Sequence, residues 1–189
     1  YRLTETNSNS GIFSGEIILT GFLHDVDGDG SFDTNPKTFG NGPTNGFLES
    51  DVNDFISISF EFADGIILVE SIPVNWNHGT IKFSQDTFLS NDLIEVRIID
   101  PDLNLNPEMI DTVNIEVFSS SDAGGLSITA IETSERSGNF ISTFSLSENI
   151  SSGNRLYAIP GDTIIAKYDD HTLPKPFSKS DSQYVETVA

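Results

Sequence analysis

The sequence predicts an all-β protein made of tandem β-sandwich modules, and two observations lead to this prediction. The first is the spacing of apolar residues: in "DFISISFEF" (54–62) they alternate with mostly polar residues, as on a strand with one buried face. Clusters of Gly, Asn, Asp, Ser and Pro separate such segments at short intervals, and no convincing helix is found between them. The same alternation recurs at residues 92–99, 111–118, 126–133 and 162–168.

The second observation is internal repetition. "ETNSNSGIF" (5–13) matches "ETSERSGNF" (132–140) at an offset of 127 residues, and "DFISISF" (54–60) resembles "DTIIAKY" (162–168) at an offset of 108. A third pair, "VESIPV" and "VETVA", follows in the same order at an offset of 116. The offset decreases by 19 residues, so the first copy carries an insertion between Leu19 and Asp54.

The repeat predicts two tandem immunoglobulin-like modules. Residues 1–78 form the C-terminal part of one sandwich, with an Asp-rich insertion loop at about 20–53, and residues 79–189 form a complete sandwich. Counterparts of residues 86–127 are absent from the first copy, which therefore lacks its N-terminal strands. A half sandwich leaves open strand edges, so we expect the missing strands to come from a preceding segment, a neighbouring chain or the second module.

Composition excludes several classes of partner. The chain has 29 acidic and 9 basic residues, a formal net charge of −20, which disfavours nucleic acid and anionic membranes. It contains no cysteine, so disulfides and thiol chemistry are absent. No apolar run is long enough to span a membrane. The excess of acidic over basic residues suits a protein that attracts cations or works in salty, calcium-containing water.

The segment "DVDGDGSFD" (25–33) predicts a calcium loop. Its oxygen donors occupy positions 1, 3, 5, 7 and 9 of an EF-hand-like loop, with Gly30 at the turn position. Pro36 stands where the bidentate glutamate would be, so Glu49, Asp51 or Asp54 could complete the site. The alternative is a solvated acidic turn. The predicted ligands are Asp25, Asp27, Asp29, the Ser31 carbonyl and Asp33.

A second candidate metal loop is "DPDLNLNPEMID" (100–111), between two predicted strands. It has side-chain oxygens at alternating positions, although Leu105 takes the place of the turn glycine. Asp169 and Asp170 follow a later strand and could reach the same end of the sandwich. The alternative is an ordinary turn rich in Asp, Asn and Pro. The predicted ligands are Asp100, Asp102, Asn104, Asn106 and Asp111.

Catalytic motifs are not found. The three histidines are scattered over different loops, and no hydrolase, metalloprotease or nucleotide-binding signature is present, so the sequence predicts a protein that is not an enzyme. Acidic residues are so abundant that a pair of carboxylates carries no information about catalysis. The single N-glycosylation sequon makes Asn149 a possible modification site.

Several segments resemble the repeated β-sandwich modules of S-layer and related large surface proteins of ammonia-oxidising archaea. They include "GPTNGFLESDVNDFISISFEFADGIILVES", "VRIIDPDLNLNPEMIDTVNIEVFSSSDAGG" and the "ET…SG.F" turn. The resemblance implies an extracellular structural role in a homo-oligomeric two-dimensional lattice. It also implies contacts with neighbouring modules of the same chain, and Ca²⁺ or other divalent cations stabilising them.

Two further expectations follow. An acidic lattice would concentrate small cations such as ammonium near the cell, as the net charge suggests. The alternative function is a calcium-dependent adhesin or carbohydrate-binding module of a large surface protein, and a third is an accessory module of a secreted hydrolase.

Overall fold

A computed structural model describes residues 1–20, 31, 46–50, 54–90, 92–106, 109–172 and 184–189. The described residues are all-β, and the one helix among them is the three-residue 3-10 turn Pro101–Leu103. They fall into two compact units, the first within residues 1–76 and the second within residues 77–189. The all-β prediction is therefore confirmed.

The first unit consists of three two-stranded pairs. An antiparallel pair and a parallel pair precede an antiparallel hairpin, whose turn includes Gly65 at a φ of 77°. The strands are β1 (Thr4–Glu5), β2 (Phe13–Ser14), β3 (Ile17–Thr20), β4 (Gly46–Glu49), β5 (Phe55–Ala63) and β6 (Ile66–Pro73).

The second unit contains an eight-stranded sheet. Its strands are β7 (Thr80–Phe83), β8 (Leu93–Ile99), β9 (Thr112–Ser119), β10 (Asp122–Glu132), β11 (Asn139–Ser147), β12 (Arg155–Tyr157), β13 (Ile164–Asp169) and β14 (Tyr184–Val188). They are hydrogen-bonded in the order β14-β13-β9-β10-β11-β8-β7, and β12 runs parallel to β11. Because β14 and β7 also contact each other, the sheet is nearly closed, consistent with a β-sandwich.

Alternating side chains of the second unit form its core. Ile94, Val96 and Ile98 on β8 are fully buried, whereas Leu93 and Ile99 at the two ends of that strand are exposed. Since successive side chains of a strand point to opposite faces, the alternation seen in the sequence becomes an inner apolar face. The core is completed by Ile81, Leu103, Ile115, Val117, Ile128, Ala130, Phe140, Phe144, Leu156, Ile164, Ala166 and Tyr168.

The two copies of the "ET…SG.F" turn make the same hydrogen bonds. Oε1 of Glu132 accepts from the backbone N–H of Gly138 at 2.8 Å, and Oε1 of Glu5 accepts from the N–H of Gly11 at 2.8 Å. Both glycines have positive φ, 56° and 65°. In each turn the threonine after the glutamate donates its backbone N–H to a carbonyl across the turn at 2.8 Å. In each turn the glutamate carboxylate thus accepts a hydrogen bond from a backbone N–H that has no backbone carbonyl to bind.

The two parallel strand pairs also share a register. Leu19 on β3 lies opposite Leu48 on β4, and Leu146 on β11 lies opposite Leu156 on β12. Adding 127 to a β3 residue number and 108 to the number of its β4 partner gives the pairs formed by β11 and β12. The difference between the two offsets corresponds to the insertion, which lies between β3 and β4.

The Gly138 turn packs tightly against the 3-10 turn, which gives a stability prediction. A Cβ on Gly138 would lie 2.7 Å from Pro101 Cα, whereas one on Gly153, at a similar φ of 58°, would meet nothing within 4 Å. We expect Gly153→Ala to cost about 1 kcal/mol, the price of positive φ alone, and Gly138→Ala about 3 kcal/mol or more. Urea unfolding followed by circular dichroism measures both, and equal losses would contradict this packing.

Candidate metal centre

Three carboxylates come together at one end of the second unit. Asp100 directly follows β8, Asp102 lies in the 3-10 turn, and Asp170 directly follows β13. Asp100 and Asp170 have no solvent exposure, although aspartate is among the residues least often fully buried. These three residues are called the carboxylate cluster below. It joins the second predicted metal loop to one of the two later aspartates that the sequence placed near it.

Asp100 is held by neutral hydrogen-bond donors. Its Oδ2 accepts from the Tyr168 hydroxyl at 3.0 Å, and its Oδ1 accepts from the backbone N–H of Asp102 at 3.1 Å. The second bond caps the start of the 3-10 turn. The backbone N–H of Asp100 donates to the Gly138 carbonyl at 2.8 Å, so the "SG" turn fixes the backbone beneath the cluster.

The other two carboxylates share a threonine. Asp170 accepts from the backbone N–H of Gly79 at 3.0 Å and from that of Thr172 at 3.1 Å. Asp102 accepts from the backbone N–H and the side-chain amide of Asn77, at 2.6 and 2.8 Å. The Thr172 hydroxyl lies 3.1 Å from an oxygen of Asp170 and 3.3 Å from one of Asp102, so it links the two side chains.

Burial and mutual repulsion make this cluster electrostatically unfavourable. Burial raises the pKa of Asp100 to about 7, and the charges of Asp170 and Asp102 add to the rise. The groups that oppose it are the Tyr168 hydroxyl and the Asp102 amide, both neutral. Burial also raises the pKa of Asp102, against the hydrogen bonds from Asn77, and burial and then Asp100 raise the pKa of Tyr168. The cluster thus favours a bound proton or cation.

Close packing around the cluster depends on a glycine. A Cβ on Gly79 would lie 1.6 Å from the Tyr168 hydroxyl oxygen and 2.7 Å from Oδ2 of Asp100. Sequence reasoning did not identify Gly79, Asn77, Tyr168 or Thr172. The available signals were the loop "NWNHGT" just before a strand, and a threonine two residues after Asp170, a spacing typical of side-chain-capped turns.

The donor set fits a hard cation. The cluster offers carboxylate oxygens, and Oδ1 of Asn104, at the end of the 3-10 turn, is buried without a hydrogen-bond partner. Oxygen ligands of this kind are those that Ca²⁺ prefers. As the side chains stand, no group of three or more His, Cys, Asp or Glu residues in the described ranges has the arrangement of a formed metal site. Metal binding would therefore move the carboxylates from their present hydrogen bonds.

The remaining predicted ligands of the second loop lie in other surroundings. Asp111 accepts from the backbone N–H of Asn106 at 3.0 Å, and its own N–H donates to Glu132 at 3.2 Å. Glu132 is buried and holds the "SG" turn, so these contacts fix the far end of the loop. Asp169 is exposed, on the opposite side of its strand from buried Tyr168 and Asp170.

Most of the first predicted metal loop lies outside the described residues. Ser31 and Asp54 are exposed. Asn149 of the glycosylation sequon is also exposed. The other predicted ligands, Asp25, Asp27, Asp29, Asp33 and Asp51, lie outside the described residues.

No protein-family model matches the chain, and no curated protein is significantly similar to it. In the part of the chain that the structure describes, no helix is long and apolar enough to cross a membrane.

The raised pKa of Asp100 predicts how stability changes with pH. The folded chain holds this proton more tightly than the unfolded chain, whose pKa is about 3.8. The stabilisation is therefore full below that value and is lost as the pH rises through about 7, a loss of a few kcal/mol at about 1.4 kcal/mol per pKa unit. In EDTA, we expect the midpoint of thermal unfolding to fall as the pH rises from about 4 to about 7.

Two variants distinguish the contribution of Asp100 to this pH dependence from that of the other acidic residues. Asp100→Asn should flatten the fall, while Asp86→Asn, which removes an exposed carboxyl of the same unit, should leave its slope unchanged. Parallel curves for Asp100→Asn and the unmodified chain would contradict the assignment.

Proposed function

We propose that the chain is a structural module of an archaeal S-layer cell-surface protein, acidic and stabilised by bound Ca²⁺. The observation that carries this proposal is the carboxylate cluster, three acidic groups gathered at one end of a sheet and fixed by neutral donors. A buried set of like charges is costly unless something neutralises it. A divalent cation does so while leaving the strand ends tied together.

Calcium is the cation best suited to this site. It binds six to eight oxygen ligands in flexible geometry, which three aspartates, the Asn104 side-chain oxygen, backbone carbonyls and water can provide. One Ca²⁺ leaves the three carboxylates with a single net negative charge. A ligand at a thousandfold excess over its Kd adds about 4 kcal/mol to stability, a large fraction of the ~5–15 kcal/mol typical of a domain.

The Asp-rich insertion supplies a second calcium site in this proposal. Its alternating aspartates and Gly30 match the start of an EF-hand-like loop, and its place between two strands of a repeated module leaves the scaffold unchanged. Both sites then act as braces for loops at the edges of β-sheets.

The strand order supports tandem immunoglobulin-like modules. In such sandwiches strands A, B, E and D form one sheet and C, F and G the other. The second unit fits with β7, β8, β11 and β10 adjacent in one group and β9, β13 and β14 in the other. The turn and register that the first unit shares with it support reading residues 1–78 as the C-terminal part of a second such module.

The extracellular lattice role rests on charge and on the resemblance to archaeal surface modules. A chain with a net charge of −20 repels its own copies, so a close-packed array needs cations between them. Calcium in the surrounding water can neutralise both the buried cluster and the contacts between copies, and the same acidic surface concentrates small cations such as ammonium.

Calcium should raise the thermal stability of the chain. We expect a higher unfolding midpoint in millimolar Ca²⁺ than in EDTA, because the ion binds only the folded cluster. Asp102→Asn and Asp170→Asn should each lose most of the gain of the second unit, and Asp27→Ala should lose a separate part. Asp86→Asn, an exposed carboxyl outside both loops, is the matched control.

Unchanged midpoints in every variant would mean that the aspartate groups are hydrogen-bonded turns and not metal sites. Saturable binding to a glycan array would then favour the adhesin or carbohydrate-binding function.

The lattice role predicts calcium-dependent assembly. At high protein concentration we expect ordered two-dimensional arrays in Ca²⁺ and dispersed particles in EDTA, because the cation removes repulsion between copies. Negative-stain electron microscopy and sedimentation measure this. A chain that stays monodisperse at all calcium concentrations would contradict self-assembly through this module.

A further inference from the structure

The first unit exposes apolar side chains whose counterparts in the second unit are buried. Tyr1 is 63% exposed, whereas Ile128, 127 positions later, is 3% exposed. Phe13 is 58% exposed, whereas Phe140 at the same offset is fully buried. Residues related by the shared turn therefore face a core in one unit and solvent in the other.

The β5–β6 hairpin shows the same contrast at the second offset. Phe60 is 60% exposed, while Tyr168, 108 positions later, is 2% exposed. Ile58 is likewise exposed and its counterpart Ala166 fully buried. Alternation places one set of β5 side chains on a single face, opposite Leu68 and Ile72 on β6. That face has the pattern of the inner side of a sandwich.

In the part of the chain that the structure describes, one edge of β5 has no strand beside it. The corresponding strand β13 is hydrogen-bonded on both sides, to β14 and to β9. Strand β5 pairs with β6, and among the described residues no other strand pairs with it. Its free edge corresponds to the edge of β13 on which β9 lies.

The hairpin exposes several apolar side chains together. Six of them are each 50–60% exposed, and exposed apolar patches of this kind mark interaction sites. They are Ile58, Phe60, Phe62, Ile66, Leu68 and Ile72.

We propose that this face binds a β-sheet segment with the strand pattern of residues 80–127. A strand like β9 would pair antiparallel with the free edge of β5, and strands like β7 and β8 would cover the apolar face. Strand β9 shows the required chemistry, since Ile115 and Val117 are buried while Asn114 and Glu116 are exposed. This is donor-strand complementation, in which main-chain bonds supply affinity and apolar side chains supply specificity.

A second copy of the same face fits less well. Glu70 lies opposite Ile58 on the apolar face, so two such faces would bring like charges together without solvent. The overall charge of −20 adds to that repulsion. The proposed interaction needs no metal and is therefore tested separately from calcium binding.

A fused donor tests the proposal in the full chain. A second copy of residues 77–127 placed directly before Tyr1 keeps the 127-residue spacing of the repeat. We expect backbone amides of β5 and β6 to exchange with deuterium at least about tenfold more slowly in this fusion than in the unmodified chain. The control fusion has Ile115→Asp and Val117→Asp in the donor copy only and should show no such gain.

A peptide tests the same face without a fusion. A fluorescent peptide of residues 111–120 should bind the unmodified chain saturably, in EDTA as well as in Ca²⁺. Ile58→Lys, on the apolar face, should weaken its binding at least about tenfold. Ser59→Lys, on the opposite face of the same strand, should leave binding within about twofold.

Two results would overturn the proposal. One is unchanged amide exchange in the fusion together with no peptide binding, which would mean that the face is already covered within the chain. The other is self-association in analytical ultracentrifugation that Ile58→Lys abolishes while the peptide fails to compete, which would assign the face to a second copy.

Discussion

The gathering of three like charges at one end of a β-sheet, two of them fully buried, is the constraint around which the second unit is arranged. Asp100 and Asp170 sit where β8 and β13 end, and the hydrogen bonds they accept fix the loop before β7, the 3-10 turn and the Tyr168 ring. Position 79 accommodates only glycine, because the Tyr168 hydroxyl occupies the space that a Cβ would need. Removing any one partner leaves a buried carboxylate uncompensated, so these residues act as one unit.

The same electrostatic problem exists at two scales. Within the cluster, desolvation raises the pKa of Asp100 to about 7, so this carboxyl changes its charge near neutral pH. Across the whole chain, 29 acidic residues against 9 basic ones make close contact between copies unfavourable. A divalent cation bound as we propose would relieve both, because it would neutralise the cluster within one chain and the repulsion between copies.

Sequence patterns predicted the strands well because alternation reports a single buried face, as along Leu93–Ile99. They also pointed to Asp100, Asp102 and Asp170, since acidic residues at strand ends are visible in one dimension. Asn77, Gly79, Tyr168 and Thr172 could not be found in this way, because their roles depend on contacts between loops distant in the chain. Spacing alone also does not tell which oxygens of a loop face inward: Asp111 contacts Asn106 and Glu132.

The central claim is that the carboxylate cluster binds Ca²⁺, and a crystal structure of the chain grown in calcium tests it most directly. Diffraction at a long wavelength should show an anomalous peak bounded by Asp100, Asp102, Asp170 and the Asn104 side-chain oxygen, with metal–oxygen distances of about 2.3–2.6 Å. Carboxylates that keep their hydrogen bonds to Tyr168, Asn77 and Gly79 with no anomalous peak between them would contradict it.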